Sequence, residues 1–351
     1  MTPLFHPKLI NGTCGDPALY IEFLYQRRAI LFDCGDLHAL SHRQLLKISH
    51  IFITHTHMDH FIGFDHLLRL LLGREKVLHI FGPAGIIRHL HCKLCGYTWN
   101  LVQNYNNHFE INAYEVTPQG IEQARFICQE GFNQLPLPNI AVPQLIGELQ
   151  GERAGVRGIL VDEPSFSIIA APLTHAIPTL GFAFQEKFHI NINKDALESM
   201  GFTPGPWLND LKSRVWEERA DDEIFTIPGA GGLPLGTLKE KLITVTRGEK
   251  IAYVTDTAWN QENAENIIQL ANGADYFFCE AAFMQADSDQ AMKTNHLTAA
   301  QAGYLARQSK VQRLIPFHFS TRYHDAPQML EQEAQKAFMN YAINFENIFC
   351  V

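Results

Sequence analysis

The stretch Ile51-Phe52-Ile53-Thr54-His55-Thr56-His57-Met58-Asp59-His60 decides how the rest of the chain is read. Three apolar residues, two of them β-branched and one aromatic, have the character of a buried strand. Immediately after them, four side chains able to bind a metal fall within six residues. In an extended segment alternate side chains share a face, so His55, His57 and Asp59 are expected to converge while His60 points elsewhere. That split suits two adjacent cations, one held by the first two histidines and the other by the Asp-His pair. Neutral imidazoles and a carboxylate are suitable zinc ligands. A polar loop that happens to be His-rich is the bland alternative, and the apolar strand ahead of the run argues against it.

Working outward, similar short apolar runs recur at 29–32, 77–81, 166–170, 251–254 and 276–278. Each is bounded by breakers and reads as a buried strand. Helical periodicity follows several of them, as in 64–72 and 299–308, which implies a layered α/β architecture. Two regions interrupt the rhythm. Residues of about 130–160 carry Pro136, Pro138, Pro143, Gly147 and Gly151 and read as a loop excursion. Residues 186–242 read as an insertion, with Pro204-Gly205-Pro206 in its middle and Gly229, Gly231 and Gly232 closing it. The organisation expected is a single domain over 1–351 with that insertion inside it.

Composition narrows the function. With 46% hydrophobic and 19% charged residues among 351, the chain can bury a large core. A formal net charge of -9 excludes a protein that grips nucleic acid by bulk charge, though not one with a local groove. The seven cysteines are irregularly spaced, which points to reduced thiols and a cytoplasmic protein rather than a disulfide framework. No signal peptide and no membrane-spanning run is visible. Cys92 and Cys95 form a lone C-x-x-C, which reads as structural.

The run His55-Thr56-His57-Met58-Asp59-His60 resembles the signature of the metallo-β-lactamase superfamily, and later segments resemble its ribonuclease Z branch. The resemblance implies a four-layer αββα sandwich with an inserted arm. It also implies three further ligands at strand ends. His175 lies in Thr174-His175-Ala176-Ile177-Pro178-Thr179-Leu180-Gly181-Phe182, Asp256 in Val254-Thr255-Asp256-Thr257, and His318 in Phe317-His318-Phe319-Ser320-Thr321-Arg322-Tyr323. The segments Glu280-Ala281-Ala282-Phe283 and Asn295-His296-Leu297-Thr298 are similar to a further pair typical of ribonuclease Z. From them His296 is implied to approach the scissile phosphate, with Glu280 a carboxylate beside it.

On this resemblance the chain is a zinc-dependent phosphodiesterase that removes the 3′ trailer of precursor tRNA, using hydroxide activated by two Zn2+ ions (Mn2+ or another divalent ion would also serve). Asp59 would act as general base, Arg322 would neutralise non-bridging oxygens, and Asp33 reads equally as an outer partner of the histidines or a turn residue. Gly205 and Pro206 resemble the core of an arm that holds the tRNA body, and a homodimer is implied in which that arm serves the partner's site. Two departures concern recognition. Between Lys187 and Ile224 there are five cationic and eight anionic side chains. The N-terminal turn reads Asn11-Gly12-Thr13-Cys14-Gly15-Asp16-Pro17 instead of a Gly-Thr-Gly turn followed by a basic loop. They favour the alternative, a diesterase of the same fold acting on a cyclic nucleotide or an oligonucleotide end. A catalytically silent RNA-binding relative would have lost ligands, and all seven positions are occupied.

Overall fold

The computed structural model describes residues 4–24, 26–117, 119–140 and 158–339. Eight strands form the first sheet in chain order: β1 (Phe5–Leu9), β2 (Leu19–Phe23), β3 (Arg28–Phe32), β4 (Ile48–Phe52), β5 (Lys76–Pro83), β6 (Phe109–Thr117), β7 (Gly120–Ile127) and β8 (Gln134–Ile140). The central pairings, β3 to β6, are parallel, and the flanking ones antiparallel. The next strands are β9 (Gly158–Asp162), β10 (Phe166–Thr174), β11 (Pro178–Glu186), β12 (Phe188–Ile192), β13 (Ile224–Ile227), β14 (Gly231–Pro234), β15 (Ile243–Arg247), β16 (Lys250–Val254), β17 (Tyr276–Glu280) and β18 (Leu314–Phe317). The second sheet takes the order β18-β17-β16-β11-β10-β9.

Period-two alternation divides the side chains between layers. Ile30, Phe32, Phe52 and Phe81 of the first sheet meet Phe166, Phe182, Phe184 and Tyr253 of the second in an aromatic core between the sheets. Their neighbours Ala29, Leu31, Ile51 and Ile80 face the other way, onto the helices Phe64–Leu71 and Ile86–Cys95. The second sheet turns Ala252, Val254, Phe277 and Cys279 toward the helices Gln261–Ala271, Ala299–Gln308 and Gln328–Met339. The architecture is therefore a four-layer α/β sandwich of the metallo-β-lactamase type, as the sequence implied. Helix Phe64–Leu71 shows why the helices pack as they do: Phe64, Leu67, Leu68 and Leu71 form one buried stripe.

The loop expected over about 130–160 is in part a strand. Gln134–Ile140 pairs with β7 as the edge of the first sheet, where Pro136 and Pro138 are tolerated because an edge has backbone groups that need no partner. Pro143, Gly147 and Gly151 lie outside the described residues. The segment read as an insertion leaves the sandwich after β11 and returns at β16. Its first strand, β12, pairs antiparallel with β15, so the ribbon runs on through Arg247. Beyond that ribbon, Leu197, Trp207, Leu211, Phe225, Leu235 and Leu238 bury one another in a small core of their own.

Candidate metal centre

Chain direction brings the chemistry to one end of the sandwich. Asp33 follows β3, His55 follows β4, His175 follows β10, Asp256 follows β16, Glu280 ends β17 and His318 follows β18. Asp33, Ala176, Asp256, Asn295 and His318 all adopt left-handed φ angles, between 43° and 60°. Such conformations cost a non-glycine residue about 1–3 kcal/mol and persist where the surrounding fold over-determines them. Gly63 contributes by close approach: a Cβ there would lie 1.9 Å from Gly35 O, so the loop after β3 and the turn after β4 lock backbone to backbone.

The grouping of the first motif differs from the one alternation suggests. The backbone stays extended through His57 (φ -63°, ψ 157°) and then enters the short helix Met58–Phe61. Helical spacing therefore replaces period two, and Asp59 is carried away from His55 and His57 to the side of His60. The motif contributes to two sets of ligand-type atoms, His55, His57, His175 and Asp256 in one and Asp59, His60 and His318 in the other, while a third, Asp256, Glu280, His296 and His318, overlaps both. Asp256 lies between the first two. Its Oδ2 is 3.5 Å from His55 Nε2, 3.5 Å from His60 Nε2 and 3.7 Å from His175 Nε2, while its Oδ1 is 3.0 Å from His318 Nδ1. Asp59 Oδ2 lies 3.4 Å from both His60 Nε2 and His318 Nε2.

The fit to a cation rests on atoms without partners. His55 Nε2, His60 Nε2 and His318 Nδ1 are buried and make no hydrogen bond with the described residues. Leaving a buried polar group unsatisfied costs about 1–3 kcal/mol, so three converging imidazole nitrogens need an explanation, and a shared electrophile supplies one. The opposite ring edges are held. Asp33 Oδ2 lies 3.0 Å from His60 Nδ1, and the Asp33 carboxylate also accepts from Thr54 N at 2.7 Å, from Thr54 Oγ1 and from the Tyr253 hydroxyl. Of its two sequence readings, outer partner and turn residue, Asp33 fulfils both. His175 Nδ1 lies 2.7 Å from the Asn295 carbonyl. Asn263 fixes the His175 loop, accepting from Thr174 N and donating to Thr174 O and Ala258 O.

Electrostatics follow from this burial. Desolvation, reinforced by His60, pushes His55 down to about 2, so its imidazole is neutral and free to ligate. Burial opposes charge on Asp256, but His318 and His60 outweigh it and hold that carboxyl well below its usual range. His296 is likewise disfavoured by burial, yet Glu280, with Oε2 2.8 Å from His296 Nδ1, raises it to about 9. Glu280 is itself fully buried and accepts from Thr257 N at 2.6 Å.

A cavity opens beside the second set, walled by Asp59, His296 and His318 on one side and by Asp16, Phe283 and Ser320 among others. Arg322 is not part of this wall; it is half exposed, with Nη1 3.3 Å from Asp287 Oδ1. Gly205 and Pro206 sit in the arm, at the start of helix Trp207–Trp216. Cys92 and Cys95 are exposed and join none of the ligand groups found among the described residues. Sequence reasoning passed over Thr54, Tyr253, Asn263 and the Asn295 carbonyl. Thr54 adjoins the ligand candidate His55 and Asn295 adjoins His296, but Tyr253 and Asn263 carry no local signal.

Residues 28–135 match the family model described as a beta-lactamase superfamily domain. Over 300 residues the chain is 30% identical to "Ribonuclease Z" of Deinococcus radiodurans, spanning 85% of this chain and 84% of that protein. It is 30% identical over 330 residues to "Ribonuclease Z" of Phocaeicola vulgatus, spanning 92% and 88%. Among solved structures, a long form RNase Z from yeast shares the fold with a TM-score of 0.51 at 12% identity, over 90% of this chain and 38% of that one. No helix among the described residues is long and apolar enough to cross a membrane.

Proposed function

The chain belongs to the ribonuclease Z family, and from that premise we propose that it is a metal-dependent endoribonuclease that removes the 3′ trailer of precursor tRNA. The observation that carries the metal dependence is the set of buried imidazole nitrogens of His55, His60 and His318 that converge on Asp256 without hydrogen bonds among the described residues. In this reading His55, His57, His175 and Asp256 would hold one divalent cation such as Zn2+, and Asp59, His60 and His318 would hold another. Divalent cations, when bound, supply positive charge that acidifies water and polarises a phosphoryl oxygen.

The chain's own residues do the rest. Asp59 accepts the proton of the attacking water, which its half-exposed position at the cavity wall allows. Glu280, anchored by Thr257 N, orients His296 and keeps a proton on it. His296 delivers that proton to the departing oxygen or steadies the phosphate. Asp33 fixes the ring of His60 through Nδ1. The compartment we assign is the cytoplasm, because the six described cysteines are unpaired.

The arm reads best as serving a second copy of the chain. β11 starts three residues after His175 and ends at Glu186, and β16 starts at Lys250 and ends two residues before Asp256. The arm is thus rooted at the far end of a nine-residue strand, about 27 Å from its own cluster. A homodimer would bring one arm to the other site; a monomer in sedimentation at micromolar concentration would count against it.

The deciding assay is cleavage of a trailer-bearing precursor tRNA beside bis-p-nitrophenyl phosphate, with zinc-loaded wild type and His57→Ala. Site-specific trailer removal that disappears in the variant supports the proposal. Hydrolysis of the small diester alone would replace tRNA by a cyclic nucleotide or oligonucleotide end, the reading that the excess of acidic side chains in the arm favours.

A further inference from the structure

The cavity beside the cluster joins loops from both sheets. Asp16 and Pro17 come from the turn between β1 and β2, Phe283 from the loop after β17, and Ser320 from the loop after β18. Its inner wall is Asp59, His296 and His318, so anything occupying it abuts the reacting phosphate of the function proposed above, on which this inference rests. Among the described residues no lysine or arginine lines it. A second phosphate of an RNA would find no cation there beyond the cluster itself.

Apart from Asp59, the one carboxylate in the wall is Asp16, and its charge repels phosphate. An ionised carboxylate is an acceptor only, so what it binds must donate. Apolar Phe283 and Phe319 together with Ser320 and Thr321 give a lining suited to a neutral, flat, polar-edged group. We propose that this cavity is a nucleoside subsite next to the scissile phosphate, in which Asp16 accepts a hydrogen bond from a ribose hydroxyl or an exocyclic base amine.

Asp16 is held ready for that role. Asn11 Nδ2 donates to the carbonyls of both Asp16, at 2.9 Å, and Asp36, at 2.8 Å, tying the turn to the loop after β3. Below it, Gly35 leaves the needed space: a Cβ at Gly35 would come within 2.6 Å of both Asp16 Cβ and Asp59 O. The backbone that carries the acceptor is therefore fixed before substrate arrives, so little main-chain ordering is lost on binding.

The test measures binding, so that it stands whether or not precursor tRNA is cleaved. The probe is a short RNA with one diester replaced by a methylphosphonate, offered to zinc-loaded wild type, Asp16→Ala and Asp16→Asn. Two further probes lack either the 2′-hydroxyls or the exocyclic amines of the nucleotides flanking that linkage. In wild type, one of these two changes should raise Kd about tenfold or more, as expected for losing a hydrogen bond to a charged group. Which one does so identifies the donor. Asp16→Ala should bind the intact probe that much more weakly and be indifferent to the same change, and Asp16→Asn should recover part of the discrimination. Equal sensitivity of wild type and Asp16→Ala to both changes would overturn the proposal. So would tighter binding of every probe by Asp16→Ala, the signature of a merely repulsive charge. Zinc content measured alongside guards against a misfolded variant, and the trailer-cleavage assay judges the earlier reading separately.

Discussion

The cluster end of the sandwich and the arm differ in what holds them. At the cluster, Asp33, His55, His60, Asp256 and Glu280 are nearly or wholly buried, and Asp33, Ala176, Asp256 and His318 just past strand ends accept left-handed backbone angles. Three cores press on that end, one between the sheets and one under each helical layer. The arm rests on a small core around Trp207 and Leu211 and on a two-stranded ribbon. The cluster is over-determined, so its side chains are positioned finely and its strain is tolerated. The arm is anchored at one root, so its surface can change, even to an acidic one, without disturbing the chemistry.

Substitutions at the two ends should separate them. Asp256→Ala removes the carboxylate that approaches histidines of both ligand sets. It should lower bound metal, measured by elemental analysis, and reduce diester hydrolysis by more than the loss of any other single residue. His296→Ala should leave bound metal unchanged and slow turnover by about 10²–10⁴-fold, the usual contribution of a positioned acid or base. If metal fell with it, His296 would be a ligand instead. Asp33→Asn loosens the hold on His60 together with the hydrogen bonds from Thr54 and Tyr253, and should weaken metal affinity about 10–100-fold, read by competition with a chromophoric chelator. The smallest effect on chemistry belongs to the arm. Leu211→Ala, in its core, should destabilise that unit by about 2–5 kcal/mol, seen as local loss of hydrogen-exchange protection. Small-diester hydrolysis should remain while RNA processing falls. A matching loss of small-diester activity would show that arm and cluster are mechanically one.

Much of the cluster was legible because strand-end ligands write a local pattern. An apolar run followed by His55-Thr56-His57-Met58-Asp59-His60 carries both the strand and its chemistry, and His175, Asp256 and His318 each follow a run of the same kind. What misled was periodicity: extended alternation was carried past His57, where the chain turns helical. The edge strand Gln134–Ile140 was hidden by its prolines, which usually argue against a strand and are tolerated here because few partners are required at an edge.

The amino-acid sequence by itself determined the layered α/β class and the dense run of His and Asp side chains over 55–60. These depend on composition and on spacing along a few residues. Only the tertiary structure decided that Asp33 and Tyr253 meet 220 positions apart and that Arg322 pairs with Asp287. It also decided that Asp16 lines the cavity. Those facts depend on which strand lies beside which and on how one sheet is laid over the other. Such long-range packing is a cooperative property of the whole core, and no short window of sequence records it.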